Sequence, residues 1–168
     1  MAKRSIIRLG EDDILRKHCR AVERFDGRLA ALLDDMAETM YAANGAGLAA
    51  PQVGILRRAV VIDVGDGLVE LVNPVIVESD GQQSGPEGCL SIPGRSGVVT
   101  RPNHVKVQAQ DAEGNPVELE AQEFFARAVC HELDHLDGVL YVDKMDREIL
   151  EGDEEYEPVD GDEEEDGE

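Results

Sequence analysis

Apolar residues recur every three or four positions in two parts of the chain, and each part is predicted to be a helix. The first runs from Asp26 to Ala43, where Asp26 is a suitable N-cap and Asn44-Gly45 a suitable end. Its apolar positions are Leu29, Leu32, Leu33, Met36 and Met40. The second ends near Gly138, and its apolar positions are Phe124, Phe125, Ala128, Val129 and Leu136. We expect both helices to turn one face to the core.

Four other segments are predicted to be strands, because they are rich in Val and Ile or alternate apolar with polar residues. They cover residues 58–64, 68–77, 104–110 and 116–121. Gly65-Asp66-Gly67 separates the first two, which favours a hairpin or two neighbouring strands. Residues 111–115 form a turn between the last two, which favours a hairpin. Asn73-Pro74 should mark a bulge or bend, and the polar residues 79–88 are expected to form a loop.

The second predicted helix contains the sequence His131-Glu132-Leu133-Asp134-His135. Two histidines four residues apart lie on one helix face and can share a metal ion. Glu132 then points near enough to act as a base on water bound by that metal. The alternative is a chance match on an amphipathic helix with ordinary half-buried histidines, so a third ligand has to be found.

The sequence offers several candidates for the third ligand. Tyr141 stands where the long H-E-x-x-H-x-x-G-x-x-H proteases have a histidine, which excludes that class. Glu148 or Glu151 would suit a metallopeptidase with a downstream glutamate. Cys89 is the stronger candidate, because it lies between glycines and a turn in a loop that can reach the helix, and a thiolate binds divalent metals well. It could also be an inert buried thiol or a nucleophile.

Small residues dominate the stretch from Gly45 to Gln52, so another chain or a ligand can approach its backbone closely. No Gly-Lys-Ser/Thr follows and no strand precedes it, which excludes a P-loop and a dinucleotide fingerprint. The alternative is a tightly packed loop in which Gln52 is a surface residue.

Composition and charge narrow the functional classes. The chain has 168 residues and a net charge of −21, and residues 151–168 hold 12 of its 37 acidic residues and no basic one. The remaining 25 acidic and 16 basic residues give −9, an acidic balance that argues against autonomous nucleic-acid binding. We expect one catalytic domain in residues 1–149 and a disordered acidic tail in residues 150–168.

The cysteine content and the lack of long apolar runs indicate the cellular compartment of the protein. Its three cysteines are too few and too scattered for a disulfide scaffold, which favours a reducing environment. No apolar run is long enough to span a membrane, and no secretory signal follows the basic first residues. We therefore expect a cytoplasmic protein without a membrane partner.

Three segments carry a resemblance to a known family. They are Gly45-x-Gly47-Leu48-Ala49-Ala50-x-Gln52, Glu87-Gly88-Cys89-Leu90-Ser91 and His131-Glu132-x-Asp134-His135-Leu136-x-Gly138. All three occur in order and at suitable separations, and the likeness covers roughly residues 5–147. In these motifs the sequence resembles the peptide deformylase family.

The resemblance implies an α+β fold, with antiparallel β-sheet segments packed around a central HExxH metal-binding helix. It implies that Cys89, His131 and His135 bind one divalent metal ion, with water in the fourth position. In that family the native metal is usually iron(II), and zinc, nickel or cobalt can take the site. The implied substrate is the formyl-methionine end of a nascent polypeptide, and the products are formate and a free amine.

The implied mechanism gives roles to further residues. Metal-bound water attacks the formyl carbon, Glu132 serves as general base and then acid, and the Gln52 amide and Leu90 N–H stabilise the oxyanion. By the same resemblance, Gly47 would pair with the substrate backbone, and Phe124 and Ala128 would line the methionine pocket.

Two contacts that would support the metal ligands are hypotheses drawn from the residues and not from the resemblance. Glu87 is expected to pair with Arg101 and hold the loop that carries Cys89, because metal ligands need orienting partners. Asp134 is expected to orient a ligand or cap a neighbouring loop.

The sequence departs from the family pattern at two places. Cys130 replaces a glutamine common in relatives, and about 100° of helix rotation should keep it from the metal. Many bacterial relatives end in a basic helix suited to ribosomal RNA, whereas this sequence ends in acidic residues. The ribosome remains a transient partner implied by the resemblance, without docking through this end. The non-catalytic alternative is a binding protein with a decayed site, which the complete set of site residues disfavours.

Overall fold

The computed structural model describes residues 2–150, which form three helices and eight strands. The helices are α1 (Gly27–Ala42), α2 (Glu123–His135) and α3 (Tyr141–Lys144), and 3₁₀ turns occur at Asp13–Arg16 and Ala50–Val53. The strands are β1 (Gly47–Ala49), β2 (Ala59–Ile62), β3 (Val69–Asp80), β4 (Gln83–Cys89), β5 (Ile92–Arg101), β6 (His104–Gln110), β7 (Pro116–Gln122) and β8 (Arg147–Ile149). The predicted disorder of the acidic tail falls, beyond Leu150, outside the described residues.

Helix α1 confirms the first predicted helix. The Asp26 side chain accepts hydrogen bonds from the Arg28 and Leu29 backbone N–H groups, which satisfies donors that a helix start leaves unpaired. Asn44, after the last turn, has a φ of 58°, a left-handed conformation that asparagine tolerates well. All five predicted apolar positions are buried.

Five strands form one antiparallel sheet in the order β1-β2-β3-β6-β7, so β1 and β7 are its edges. The β2–β3 and β6–β7 pairs confirm the two predicted hairpins. The register shifts between Val72 and Val75, where Asn73 has a φ of 52°, which confirms the predicted irregularity. The Asn73 amide donates to Val22 O and Gln110 Oε1, and these bonds stabilise the bulge.

The prediction of a loop over residues 79–88 was wrong. Strand β3 continues to Asp80, and β4 begins at Gln83 and pairs with β5 in a second sheet of order β4-β5-β8. Gly81 makes the turn between them with a φ of +71°. Polar residues and Gly85 hid this strand, because its stability comes from pairing with β5 rather than from its own propensity.

Helix α2 confirms the second predicted helix and packs against the five-stranded sheet through one apolar cluster. The cluster joins Ala126, Val129 and Leu133 of α2 to buried residues of β2 and β6, among them Val60, Ile62, Val105 and Val107. The α+β architecture is therefore confirmed. Among residues 2–150 there is no helix of the length and apolarity needed to cross a membrane.

Candidate metal centre and active site

The last turns of α2 and the end of β4 bring three metal-binding side chains together. His131, His135 and Cys89 each offer one ligand atom, and these atoms all lie within 4.8 Å of one another. The Cys89 Sγ atom lies 3.4 Å from His135 Nε2. The two histidines are buried and Cys89 is half-buried, so the group lies in a site that is largely withdrawn from solvent.

This donor set fits a single divalent ion. Tetrahedral bonds of about 2.0 Å to nitrogen and about 2.3 Å to sulfur separate the two ligand atoms by about 3.5 Å. The separation of 3.4 Å between Cys89 Sγ and His135 Nε2 matches that value. A thiolate with two imidazoles suits several first-row metals, so the donor set alone does not select one of them.

Glu87 orients the first histidine from the neighbouring sheet. Its Oε1 atom lies 2.9 Å from His131 Nδ1, which leaves the Nε2 atom of that ring for the metal. Arg101 donates to both carboxylate oxygens at 2.9 Å, which confirms the expected Glu87–Arg101 contact. Burial alone would raise the pKa of Glu87, but the bonds from Arg101 and His131 outweigh it and hold the pKa well below its usual range.

Sequence reasoning missed Arg127, which also binds Glu87. Its Nη1 atom donates to Glu87 Oε2 at 2.7 Å and to the carbonyls of Val99 and Gly85 at 3.0 and 3.3 Å. Arg127 lies four residues before His131, so the helical spacing places both on one face of α2. An arginine on the same predicted helix face as the first histidine was the available signal.

Asp134 extends the same network. It accepts a hydrogen bond of 2.7 Å from Arg101 Nη1, and the Lys144 ammonium lies within 3.1 Å of its carboxylate. Asp134 therefore binds the arginine that holds Glu87, and its orienting role stays a prediction.

The Glu132 side chain lies under strand β1. A Cβ atom built at Gly47 would lie 2.5 Å from Glu132 Oε2, so only glycine leaves room for this carboxylate. Burial raises the pKa of Glu132 to about 7, above that of an ordinary carboxyl group. Its Oε1 atom is buried and has no hydrogen-bond partner among the described residues.

Gln52 reaches the site from the 3₁₀ turn that follows β1. Its Oε1 atom accepts a hydrogen bond of 2.9 Å from the Ala49 N–H, which fixes the amide orientation. Its Nε2 atom therefore faces Cys89 Sγ at 3.6 Å and Ser91 Oγ at 3.1 Å. Gln52 is buried, so the alternative interpretation as a surface residue was wrong. Leu90 lies between Cys89 and Ser91, at the tip of the β4–β5 hairpin.

The two predicted pocket residues lie one turn apart near the start of α2. Ala128 is buried, whereas the Phe124 side chain is 57% exposed. An aromatic residue outside the predicted pocket, Tyr141, is buried and stacks on His131 with ring centroids 6.2 Å apart. The sequence pattern pointed to Tyr141 only as a position that lacks a third histidine.

The other candidate ligands lie elsewhere. Glu148 pairs with Arg95 of β5 at 2.8 Å and is not among the clustered ligand atoms. Glu151 lies outside the described residues. Cys130 is buried beside His131 in sequence and does not belong to the cluster, as its helical rotation predicted.

An HExxH helix that meets a cysteine at the end of a strand defines a metal-dependent hydrolase. The family model described as polypeptide deformylase matches residues 3–149. The chain therefore belongs to the polypeptide deformylase family, whose members depend on a metal ion.

Individual relatives agree with this assignment. The chain is 60% identical to the peptide deformylase of Caldicellulosiruptor bescii over 145 residues, which cover 86% of this chain and 87% of that protein. The crystal structure of peptide deformylase from Thermotoga maritima is 42% identical and has a TM-score of 0.84, covering 86% of this chain and 99% of that one. That of Synechococcus elongatus in complex with actinonin is 41% identical with a TM-score of 0.83, covering 88% and 81%.

Proposed function

We propose that this protein hydrolyses the formamide bond of formyl-methionine at the N-terminus of nascent polypeptides, releasing formate. The proposal assigns the chemistry to residues 1–149 and places it in the cytoplasm, where new chains leave the ribosome. The observation that carries it is the meeting of Cys89, His131, His135 and Glu132 in one buried site of a chain from the deformylase family.

Cys89, His131 and His135 would hold one divalent ion, natively iron(II), with zinc, nickel or cobalt as possible substitutes. When bound, the ion supplies Lewis acidity, which makes a water molecule a nucleophile at neutral pH. Glu87 supports this site because its bond to His131 Nδ1 fixes the tautomer and the ring orientation of that ligand.

Glu132 would move the proton. Its carboxylate takes a proton from the attacking water and returns it to the amine that leaves when the C–N bond breaks. A buried carboxyl group with a pKa of about 7 suits both steps near neutral pH, because neither protonation state is strongly disfavoured. The nearness of Gly47 places this carboxylate beside strand β1, where an extended substrate can lie.

Gln52 and Leu90 would stabilise the oxyanion that forms on the formyl oxygen. The Ala49 N–H binds Gln52 Oε1, so the NH₂ group of Gln52 is held toward the site before substrate arrives. A donor fixed in advance needs little reorganisation during the reaction, which is the main source of its effect. The Leu90 N–H would be the second donor from the hairpin tip.

The backbone of Gly47 would pair with the substrate peptide, and the methionine side chain would occupy a pocket lined in part by Phe124 and Ala128. The exposed Phe124 side chain suits the rim of such a pocket, and the buried Ala128 suits its wall. The ribosome would be a transient partner.

The test is formate release from formyl-Met-Ala by anaerobically prepared protein with a measured metal content. We expect release by the unaltered protein, loss of both metal and release in Cys89→Ala, and loss of release with retained metal in Glu132→Ala. No release from unaltered protein loaded in turn with iron, nickel and zinc would overturn the proposal.

Two variants serve as matched controls. Cys130→Ala removes a buried cysteine next to His131 that does not belong to the ligand cluster, so metal and release should remain. Glu123→Ala is the control for Glu132→Ala, because it removes an exposed carboxylate from the same helix. Metal that survives Cys89→Ala would favour the metallopeptidase alternative instead.

A further inference from the structure

An open cleft of about 1360 Å³ on the protein is rich in arginine. It runs between the start of α1 and the segments 20–24 and 54–57. We call it the arginine cleft, after the side chains of Arg20, Arg24, Arg28 and Arg57 that line it. No proposed metal ligand and no proposed catalytic residue lines it.

These four arginines lack the ion pairs that most other basic residues of the chain have. Within residues 2–150, none of the four has an acidic side chain within salt-bridge distance, and only Arg57 uses its guanidinium, on the carbonyl of Leu56. Arg4, on the same cleft, is different because it pairs with Asp35 at 2.8 Å. Four unpaired cations thus share one cleft in a chain with 37 acidic and 16 basic residues.

The acidic residues on the cleft do not neutralise it. Only Glu23 and Asp26 line it, and the Asp26 carboxylate is occupied by the backbone N–H groups of Arg28 and Leu29 at the start of α1. Guanidinium groups bind carboxylates and phosphates in planar, two-point contacts and are weakly hydrated, so such a cleft favours a ligand with several negative charges.

The chain itself carries a ligand of that kind. Residues 151–168 contain 12 acidic residues and no basic one, so a third of all acidic residues lie in this short segment. A segment of 18 residues can span up to about 60 Å, whereas a domain of about 150 residues has a radius of gyration near 15 Å. The segment is therefore long enough to reach the arginine cleft from Leu150.

We propose that residues 151–168 bind in the arginine cleft, where their carboxylates pair with Arg20, Arg24 and Arg28 and with the more buried Arg57. Covalent attachment gives the acidic segment a millimolar effective concentration, so even weak individual pairs fill the cleft. The bound segment then excludes external polyanions from this surface. Binding of this kind weakens as salt rises, because exposed charges are screened.

A photo-cross-linking experiment on the full chain tests this proposal. Tyr156 is replaced by p-benzoylphenylalanine, the protein is irradiated, and cross-linked peptides are identified by mass spectrometry. We expect cross-links concentrated in residues 20–32 and 54–57, falling about tenfold in the triple variant Arg20→Ser, Arg24→Ser, Arg28→Ser. Raising sodium chloride to about 0.5 M should have a similar effect.

The matched control removes three other exposed or half-exposed cations, in the variant Arg8→Ser, Lys17→Ser, Lys106→Ser, and should leave the cross-links unchanged. The arginines of the cleft variant are exposed on the surface, so folding should survive, and circular dichroism checks it. Cross-links spread evenly over the domain, or equal yields in the cleft and control variants, would overturn the proposal.

Heparin binding tests whether an external polyanion, and not the acidic segment, occupies the arginine cleft. In a full chain whose 12 acidic residues of 151–168 are replaced by Asn and Gln, we expect heparin to bind at least tenfold more tightly than to unaltered protein, and binding should disappear with the cleft variant. Equal heparin affinity of the unaltered and neutralised chains, lost in both with the cleft variant, would show an external polyanion as the occupant and refute the acidic segment.

Discussion

The buried position of the Glu132 carboxylate depends on the absence of a side chain at Gly47. Strand β1 passes so close to α2 that any side chain at position 47 would occupy the space of the Glu132 carboxylate. The glycine is therefore needed for space, and the carboxylate keeps its buried position because the strand covers it.

Gly47→Ala should reduce deformylation by about a hundredfold or more, because a displacement of the base by about 1 Å misaligns proton transfer. The metal content should stay at the level of the unaltered protein, since the three atoms nearest to the new methyl group all belong to Glu132 and not to a proposed ligand. Measurement of kcat/KM and metal content on the same preparation checks this.

Gly27→Ala is the control for that substitution. Gly27 has nothing within 4 Å of a built Cβ and lies in the first turn of α1. We expect unchanged kcat/KM. A Gly47→Ala enzyme with full activity would mean that Glu132 has room to move without consequence.

At the scale of single elements, α2 presents Arg127, His131 and His135 at intervals of four residues, and thus along one face. The β4–β5 hairpin supplies Glu87, Cys89 and Arg101 to that face. Glu87 accepts bonds from both arginines and from His131, so one carboxylate ties the hairpin to the helix.

Arg101→Leu should weaken metal retention by about 10- to 100-fold, because Glu87 would lose one of the cations that hold it against His131. The buried charge left with one fewer partner should also cost about 3–5 kcal/mol of unfolding free energy. Competition with a chelator measures retention, and urea unfolding measures stability.

Arg95→Leu tests whether this effect belongs to the buried network. Arg95 lies on the same strand, but its pair with Glu148 is partly exposed to solvent. We expect metal retention within about twofold of the unaltered protein and a stability change below about 1 kcal/mol. Equal losses in both variants would argue against Glu87 as the orienting group.

At the start of α1, a substitution is expected to change the free energy of unfolding and not catalysis. Asp26→Ala removes the acceptor of two backbone hydrogen bonds and should lower the unfolding free energy by about 1 kcal/mol. Asp34→Ala, an exposed position on the same helix, should change it by less than about 0.5 kcal/mol. Urea denaturation of both variants measures the difference, and kcat/KM should not change in either.

The sequence predicted those features that depend on local pattern. Both long helices and both hairpins follow from residue spacing, and the Glu87–Arg101 contact followed from the need of a metal ligand for orienting partners. Strand β4 was missed because it is held by pairing with β5, which no local pattern records. The orientation of Gln52 depends on the Ala49 N–H, and the contact of Arg127 with Glu87 joins residues 40 positions apart. Such contacts exist only after the chain has folded.

At the scale of the whole molecule, the proposed ligands connect parts of the fold that separate on unfolding. Cys89 belongs to the three-stranded sheet, whereas the two histidines belong to the helix that packs on the five-stranded sheet. A metal ion bound by all three would therefore stabilise the assembled fold and not the unfolded chain.

Removal of the metal should lower the melting temperature. At about 100 times the dissociation constant, bound ligand contributes about 2.7 kcal/mol, which corresponds to roughly 5–10 °C for a domain of this size. Differential scanning calorimetry with and without chelator measures the shift. Cys89→Ala should melt at one temperature under both conditions, and a chelator effect that persists in this variant would contradict the ligand assignment.

Strand β1 has only three residues, and it is an edge of its sheet that lies directly against Glu132. A peptide that joins such an edge is held by main-chain hydrogen bonds, which every amino acid except proline can form in full. Recognition of the substrate beyond its first side chain would then depend little on the amino-acid sequence. One enzyme of this design could process the beginnings of a whole proteome, and its selectivity would rest on the formyl group and one pocket.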